Sequence, residues 1–326
     1  MRYIEAVRAQ GKSLRTSRAA VTDRLSSLDL APWRDRRLAL VGMGASSNAI
    51  ASVLGEYWSA GVRAASWLGS ELEQAGAAAD AEAVVAVSQT GKSAEIYSAL
   101  SRIERPRLLV TDVESSPIAG LAEATVPLAL LEDSEVRTIG YTGTVQALLL
   151  LLDALAPSGG PATDWDAVAD EVERLLPEAE RLAERLLPGL AGVTAFDVVG
   201  SGVHAGTAAQ GALLLREVCK LPASGYETYQ YLHGPIEAAG PGRVLIAIGG
   251  AREAKLTLSM ADAGATVVLV TSLPDADAAF GLPALGPAAE SVLGILPLQT
   301  ITSALAIESG LPDGEFRYHQ DDTKVG

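Results

Sequence analysis

Three groups of side chains in this sequence have the types and spacing to do chemistry. The first is Ser88-Gln89-Thr90-Gly91-Lys92-Ser93, where three hydroxyls and a carboxamide share a loop between the apolar run AVVAV and a helical stretch. Hydroxyls and backbone N–H groups together enclose a phosphate monoester, and the dipole of the following helix favours the anion. The competing reading is a plain Ser N-cap on an ordinary turn. A nucleotide P-loop is excluded by spacing, since G-x-x-x-x-G-K-S/T does not occur here. The second group is Glu217 with His233, on either side of the irregular segment 221–232. Aldose–ketose interconversion needs a group to open the sugar ring and a base to carry a proton between C1 and C2, and a carboxylate plus an imidazole supply both. The bland alternative pairs Glu217 with Arg216 or Lys220 on a solvated helix face and leaves His233 to cap the turn before Pro235. The third group, Gly42-Met43-Gly44-Ala45-Ser46-Ser47, is a Gly turn at a helix start, where free amides meet anions. It lacks the third glycine of a dinucleotide fingerprint, and GVRAASW ends without an acidic residue.

The elements that must position these groups alternate. RLALVG, AVVAV and PRLLVTD are short buried-strand patterns, each followed by a loop and then a helical or polar stretch, and strands alternating with helices predict a parallel sheet covered on both faces. AFDVVGSGVHAG, GRVLIAIGGAREAK and TVVLVTS repeat the same order roughly 160 residues later, so the chain reads as an internal duplication. Residues 1–30 form a polar amphipathic helical segment, 31–160 the first domain, 161–312 the second and 313–326 a tail. The boundary falls at the Pro/Gly/Ser linker around Pro157 to Pro161.

Composition narrows the function classes. The 326 residues suit two domains, and 48% hydrophobic against 20% charged residues excludes disorder over most of the length. With 25 Lys+Arg against 40 Asp+Glu, the net charge of −15 repels nucleic acid and anionic lipid. The single cysteine, Cys219, excludes an internal disulfide, and no Cys/His cluster has metal-ligand spacing. The N-terminus has no apolar signal core, and the longest apolar run, Ala147 to Leu152, is far short of the ~20 residues of a membrane helix. A cytoplasmic protein with no membrane partner is expected.

The turn GMGASS, the loop SQTGKSAE, the later TIGYTGT, and GALLLREV followed by ETYQYLHGP resemble, in that order, the tandem sugar-isomerase (SIS) domains that form the isomerase half of glucosamine-6-phosphate synthase. The resemblance covers nearly the whole chain. It implies an α/β fold of two tandem SIS domains, each a flavodoxin-like or Rossmann-like parallel sheet flanked by helices. It implies that Ser46, Ser88, Gln89, Thr90 and Ser93 hold a sugar phosphate and that Thr138 lines the sugar pocket. Glu217 is similar to the family's proton-carrying base, and His233 matches the histidine that assists ring opening, in some members from the partner subunit. Gly249-Gly250-Ala251 of the second repeat lacks the hydroxyls, so one phosphate site per chain follows. No metal or organic cofactor is required, and a homodimer is expected.

Departures from the family pattern qualify the chemistry. Lys92 stands where the family usually has Glu, and Leu214 where it has Lys. The family's Schiff-base lysine in the tail aligns only with Lys324, after an apparent insertion of Asp321-Asp322-Thr323. The expected function is a phosphosugar aldose–ketose isomerase or an amino-sugar-phosphate isomerase/deaminase. The altered tail leans it toward plain isomerisation. The sequence begins Met1-Arg2 without an N-terminal catalytic cysteine, so a glutaminase domain is not expected. The alternative, motivated by Lys92, Leu214 and the tail, is a sensor that binds a sugar phosphate without turning it over. Among the remaining residues, Cys219 is expected in the core, Leu148 to Leu152 in a packing helix and His204 on a solvated helix start. His319 is a candidate to enter a pocket from the tail.

Overall fold

The computed structural model describes residues 1–76, 79–156, 162–312, 314–318 and 320–326. The expected linker at 157–161 and His319 lie outside the described residues. Among the described residues ten strands form: β1 (Leu38–Gly42), β2 (Ala64–Leu68), β3 (Ala83–Val87), β4 (Arg107–Thr111), β5 (Ala124–Pro127), β6 (Ala195–Gly200), β7 (Ala223–Glu227), β8 (Arg243–Ile248), β9 (Thr266–Thr271) and β10 (Phe280–Gly281). The helices are α1 (Tyr3–Arg8), α2 (Gln10–Ser27), α3 (Ala45–Ser59), α4 (Gly69–Ala75), α5 (Ala94–Ser101), α6 (Ile139–Leu155), α7 (Trp165–Leu186), α8 (Val203–Glu217), α9 (Thr228–Leu232), α10 (Ala251–Asp262), α11 (Pro287–Leu293) and α12 (Leu296–Glu308). The N-terminal segment, read as one helix, is thus two.

The first sheet runs β2-β1-β3-β4-β5 and the second β10-β9-β8-β6-β7, both parallel throughout. Read from β7, the second order reproduces the first strand for strand, so the duplication inferred from sequence is a duplication of topology. β1 and β3 are buried at every position, which is why they read as continuous apolar runs and not as alternating ones. Val84, Ala86 and Leu109 pack with Ile96 and Leu100 of α5; Leu245, Ala247 and Leu269 pack with Leu256 and Met260 of α10.

The glycine turns match as closely as the topology. Gly44 at the start of α3 has φ 52°, ψ −125°, and Gly202 at the start of α8 has φ 58°, ψ −127°. A side chain is strained in that conformation, so both positions need Gly.

Contacts sort the chain into two units. One holds the first sheet with 12–131, 139–165 and the tail 317–326; the other holds the second sheet with 1–11, 132–138 and 166–316. The tail therefore groups with the first sheet, and the Thr138 segment with the second. In the first unit, α6 is buried over most of its surface, Leu148, Leu149, Leu151 and Leu152 included. In the second, 287–308 is the one described stretch long and apolar enough to cross a membrane, and 83% of its most apolar window is buried inside the fold. It is core, broken into α11 and α12.

Candidate active site

The hydroxyl loop follows β3, next to β1 in the sheet, so the turn that carries Ser46 and the loop that starts at Ser88 leave the same edge side by side. β1 is where the strand order reverses, the place at which open α/β sheets take ligands. Gly42 ends β1 so close to α3 that a Cβ there would lie 2.8 Å from the Ser47 nitrogen. Ser46 sits in the first turn of α3, half-buried.

Backbone bonds pin the loop. Asp112 N and Thr111 Oγ1 donate to the Gln89 carbonyl at 3.0 and 3.2 Å, Gly91 N to the Ser88 carbonyl at 3.0 Å, and Ile118 N to the Gly91 carbonyl at 3.2 Å. Gly91 has φ 62°, and a Cβ would fall 1.9 Å from Ser116 Oγ. The buried Ser116 hydroxyl has no hydrogen-bond partner among the described residues. The Gln89 side chain lies over Gly140 in the first turn of α6, where a Cβ would come within 2.4 Å of its Oε1.

Ser93 stands at the N-cap position of α5 but makes no capping bond; its hydroxyl meets Ser88 Oγ at 3.1 Å. The ordinary-turn reading, in which Ser93 serves the helix, is therefore not what is built. Ser88 is buried, Gln89, Thr90 and Ser93 are half-buried, and Lys92 is exposed. The tail closes on this loop: Ser93 and Lys324 form an antiparallel bridge, Val325 N donates to the Lys92 carbonyl at 2.8 Å, and the turn Asp321–Thr323 packs on α5. Lys324 is exposed beside the loop.

Glu217 closes α8 in the other unit. The two cations expected to neutralise it are engaged elsewhere: Arg216 donates to the Ala223 carbonyl at 3.0 Å, and Lys220 Nζ donates to the main-chain carbonyls of Glu217 and Glu315, the latter at 2.6 Å. Among the described residues no hydrogen bond or ion pair reaches the Glu217 carboxylate. Burial pushes its pKa from 4.5 up to about 7, against the opposing pull of Arg216, Lys220 and Arg137 at longer range. That is the range of a general base working near neutrality.

Arg137 is not marked by the sequence, which offers Lys220 only as a surface partner for Glu217. Arg137 directly precedes Thr138, and its carbonyl lies 3.5 Å from the donating Gln210 Nε2 of α8. Lys220 holds φ 58°, unusual for a residue other than glycine. Thr138 is fully buried and donates its hydroxyl to Asp133 Oδ1 at 2.9 Å. His233 follows α9, exposed. Leu214 is fully buried in α8. Cys219 is core: its Sγ donates to the Thr302 carbonyl at 3.1 Å, and burial pushes its thiol up to about 12. His204 is not solvated as expected but 6% exposed, with Nε2 3.2 Å from Glu290 Oε2.

No family model matches the chain. Its sequence is 27% identical over 244 residues to the isomerizing glutamine–fructose-6-phosphate aminotransferase of Bacillus spizizenii, a match that takes in 69% of this chain and 40% of that protein. The chain thus spans less than half the length of this relative. Among solved structures, the glucosamine-6-phosphate deaminase of Thermotoga maritima superposes with TM-score 0.84 at 17% identity, covering 98% of both chains. The fold is the tandem SIS fold. The C-terminal domain of glucosamine-fructose-6-phosphate aminotransferase from Francisella tularensis superposes with TM-score 0.78 at 16% identity over 96% of this chain and 98% of that one. Coverage of this extent means that both SIS repeats of the present chain, and not one of them, have their counterparts in the neighbours.

Proposed function

We propose that this SIS protein is a phosphosugar isomerase, acting on an aldose or ketose 6-phosphate, or on an amino sugar 6-phosphate with release of ammonia. The observation that carries the reading is the Glu217 carboxylate, unpaired and titrating near 7 on a fold whose first half bears a pinned loop of hydroxyls. An unpaired, half-buried carboxylate costs folding energy, and such groups concentrate where chemistry needs them. In this scheme Ser88, Gln89, Thr90 and Ser93, with Ser46, bind the phosphate. Lys92 and Lys324 at the rim draw the dianion to a protein of net charge −15. Thr138 lines the sugar pocket and His233 assists ring opening, in a cytoplasmic homodimer.

Glu217 removes the proton from C2 of the open-chain aldose, leaving an enediol, and returns it to C1, so that the ketose forms with all atoms kept. With a 2-amino sugar the same transfer gives a C2 imine, which water hydrolyses to the ketose phosphate and ammonia. The unpaired Glu217 favours turnover over a sensor, which has no use for a base. The test is to incubate the protein with fructose 6-phosphate and with glucosamine 6-phosphate, following products by NMR and ammonia by a coupled assay. Interconversion without ammonia identifies an isomerase, and ammonia a deaminase. Thermal stabilisation by both sugars with no product would overturn the enzymatic reading in favour of a sensor.

A further inference from the structure

The parallel register lets the two sheets be compared position by position at their carboxyl edges. In the first sheet the residues one step beyond the paired strands β2, β1 and β3 are Gly69, Met43 and Ser88; in the second, beyond β7, β6 and β8, they are Thr228, Ser201 and Gly249. The first row carries no hydroxyl away from Ser88, and Gly69 N meets the thioether of Met43 at 3.3 Å. The second row carries two hydroxyls, and both converge on one side chain, which the N–H of Gly250, next after the row, also meets, while Gly249 N donates to the Val270 carbonyl at 3.0 Å. Ser201 Oγ donates to Glu253 Oε1 at 2.9 Å, Thr228 Oγ1 donates to the same oxygen, and Gly250 N donates to Oε2 at 2.9 Å. Glu253 is 2% exposed.

We propose that the Glu253 carboxylate is a built-in anion that fills the second sheet's ligand place, and that it thereby confines phosphate binding to the hydroxyl loop of the first. The inference rests on the phosphate role proposed for that loop. A capping box alone does not account for Glu253: capping uses one oxygen on the Gly250 N–H and leaves the side chain at the surface. Here the second oxygen collects hydroxyls from the ends of two further strands, and the whole group is buried. The loop is cut to match. Two residues, Gly249 and Gly250, join β8 to α10, whereas 88–93 join β3 to α5. Gly249 has φ 150°, and a Cβ there would fall 2.7 Å from Glu253 Oε2, so the backbone itself closes over the carboxylate.

The experiment is calorimetric titration of the full chain with inorganic phosphate. Glu253→Ala frees three donors and the volume of the carboxylate, so the expected stoichiometry rises from one phosphate per chain to two. Glu253→Gln keeps the shape and is expected to stay at one. In a Ser88→Ala/Ser93→Ala background the first site weakens at least tenfold, and adding Glu253→Ala is expected to leave the new site alone. If the wild type binds no phosphate but Glu253→Ala binds one, the phosphate role of the loop fails while the plug stands. A folded Glu253→Ala that gains no site overturns the inference, as does a Glu253→Gln that gains one. If Glu253→Ala does not purify folded, its refolding yield with phosphate is compared with that in chloride of equal ionic strength. A higher yield in phosphate supports the plug, and equal yields overturn it.

Discussion

Replacing Glu217 by glutamine is expected to abolish turnover and, at the same time, to make the protein more stable above neutral pH. The pKa of this carboxyl rises from 4.5 to about 7 because burial disfavours its charge. The folded state therefore holds the proton more tightly than the unfolded chain does. A group of this kind contributes most below pH ~4.5, its unfolded value; the contribution declines as pH rises and is lost once pH passes about 7. A difference of that size corresponds to at most about 3 kcal/mol, and partial exposure lowers the expected figure to about 1–2 kcal/mol. Glutamine mimics the protonated carboxyl and carries no such cost. Thermal unfolding of both proteins from pH 5 to pH 9 should give nearly equal midpoints at the acid end and a gap opening in favour of Glu217→Gln between pH 5 and 8, reaching several degrees at pH 8–9. A constant gap, or one that closes as pH rises, would mean that the carboxylate is compensated in the folded protein, and the general-base assignment would lose its physical basis.

Four further outcomes follow from the same geometry. Ser88→Ala or Ser93→Ala should each weaken phosphosugar binding by ~1–2 kcal/mol, the scale of a hydrogen bond to a charged group, read by titration calorimetry; unchanged affinity in both would move the phosphate elsewhere. Gly91→Ala should cost more than tenfold in affinity, since φ 62° disfavours alanine and its Cβ would meet Ser116 Oγ at 1.9 Å. Ser116→Ala in the same chain should not rescue it, because the Ser116 Cβ lies 2.2 Å from that position. Deleting 321–326 removes the strand pairing at Ser93 and the Lys324 ammonium, and should raise the KM for a sugar phosphate while the circular dichroism spectrum stays the same.

Most of the fold was legible because parallel strands buried on both faces write themselves as short apolar runs, and six such runs in repeated order leave few alternatives. The hydroxyl loop was legible for the same reason: it sits at the end of one of those runs. The sequence left Ser93 open between a phosphate-loop hydroxyl and an N-cap, and that its hydroxyl turns to Ser88 depends on the local path of the loop. It marked Glu217 as the candidate base but not the isolation of its carboxylate. Two charged neighbours, Arg216 and Lys220, predict a neutralised carboxylate, and only the structure shows both spent on main-chain carbonyls. His204 misled for a related reason: its partner, Glu290, lies 86 residues away. Glu253 reads as a routine capping residue until the register places Ser201 and Thr228 beside it.

The central claim is that Glu217 moves a proton at C2 of a sugar phosphate, and solvent deuterium exchange at that carbon tests it most directly. Wild-type protein in D₂O with glucose 6-phosphate or glucosamine 6-phosphate should place deuterium at C2 of at least one of them, at a rate that rises with pH through about 7. Glu217→Gln should bind the same sugar and exchange nothing. Exchange at the wild-type rate in Glu217→Gln would contradict the account.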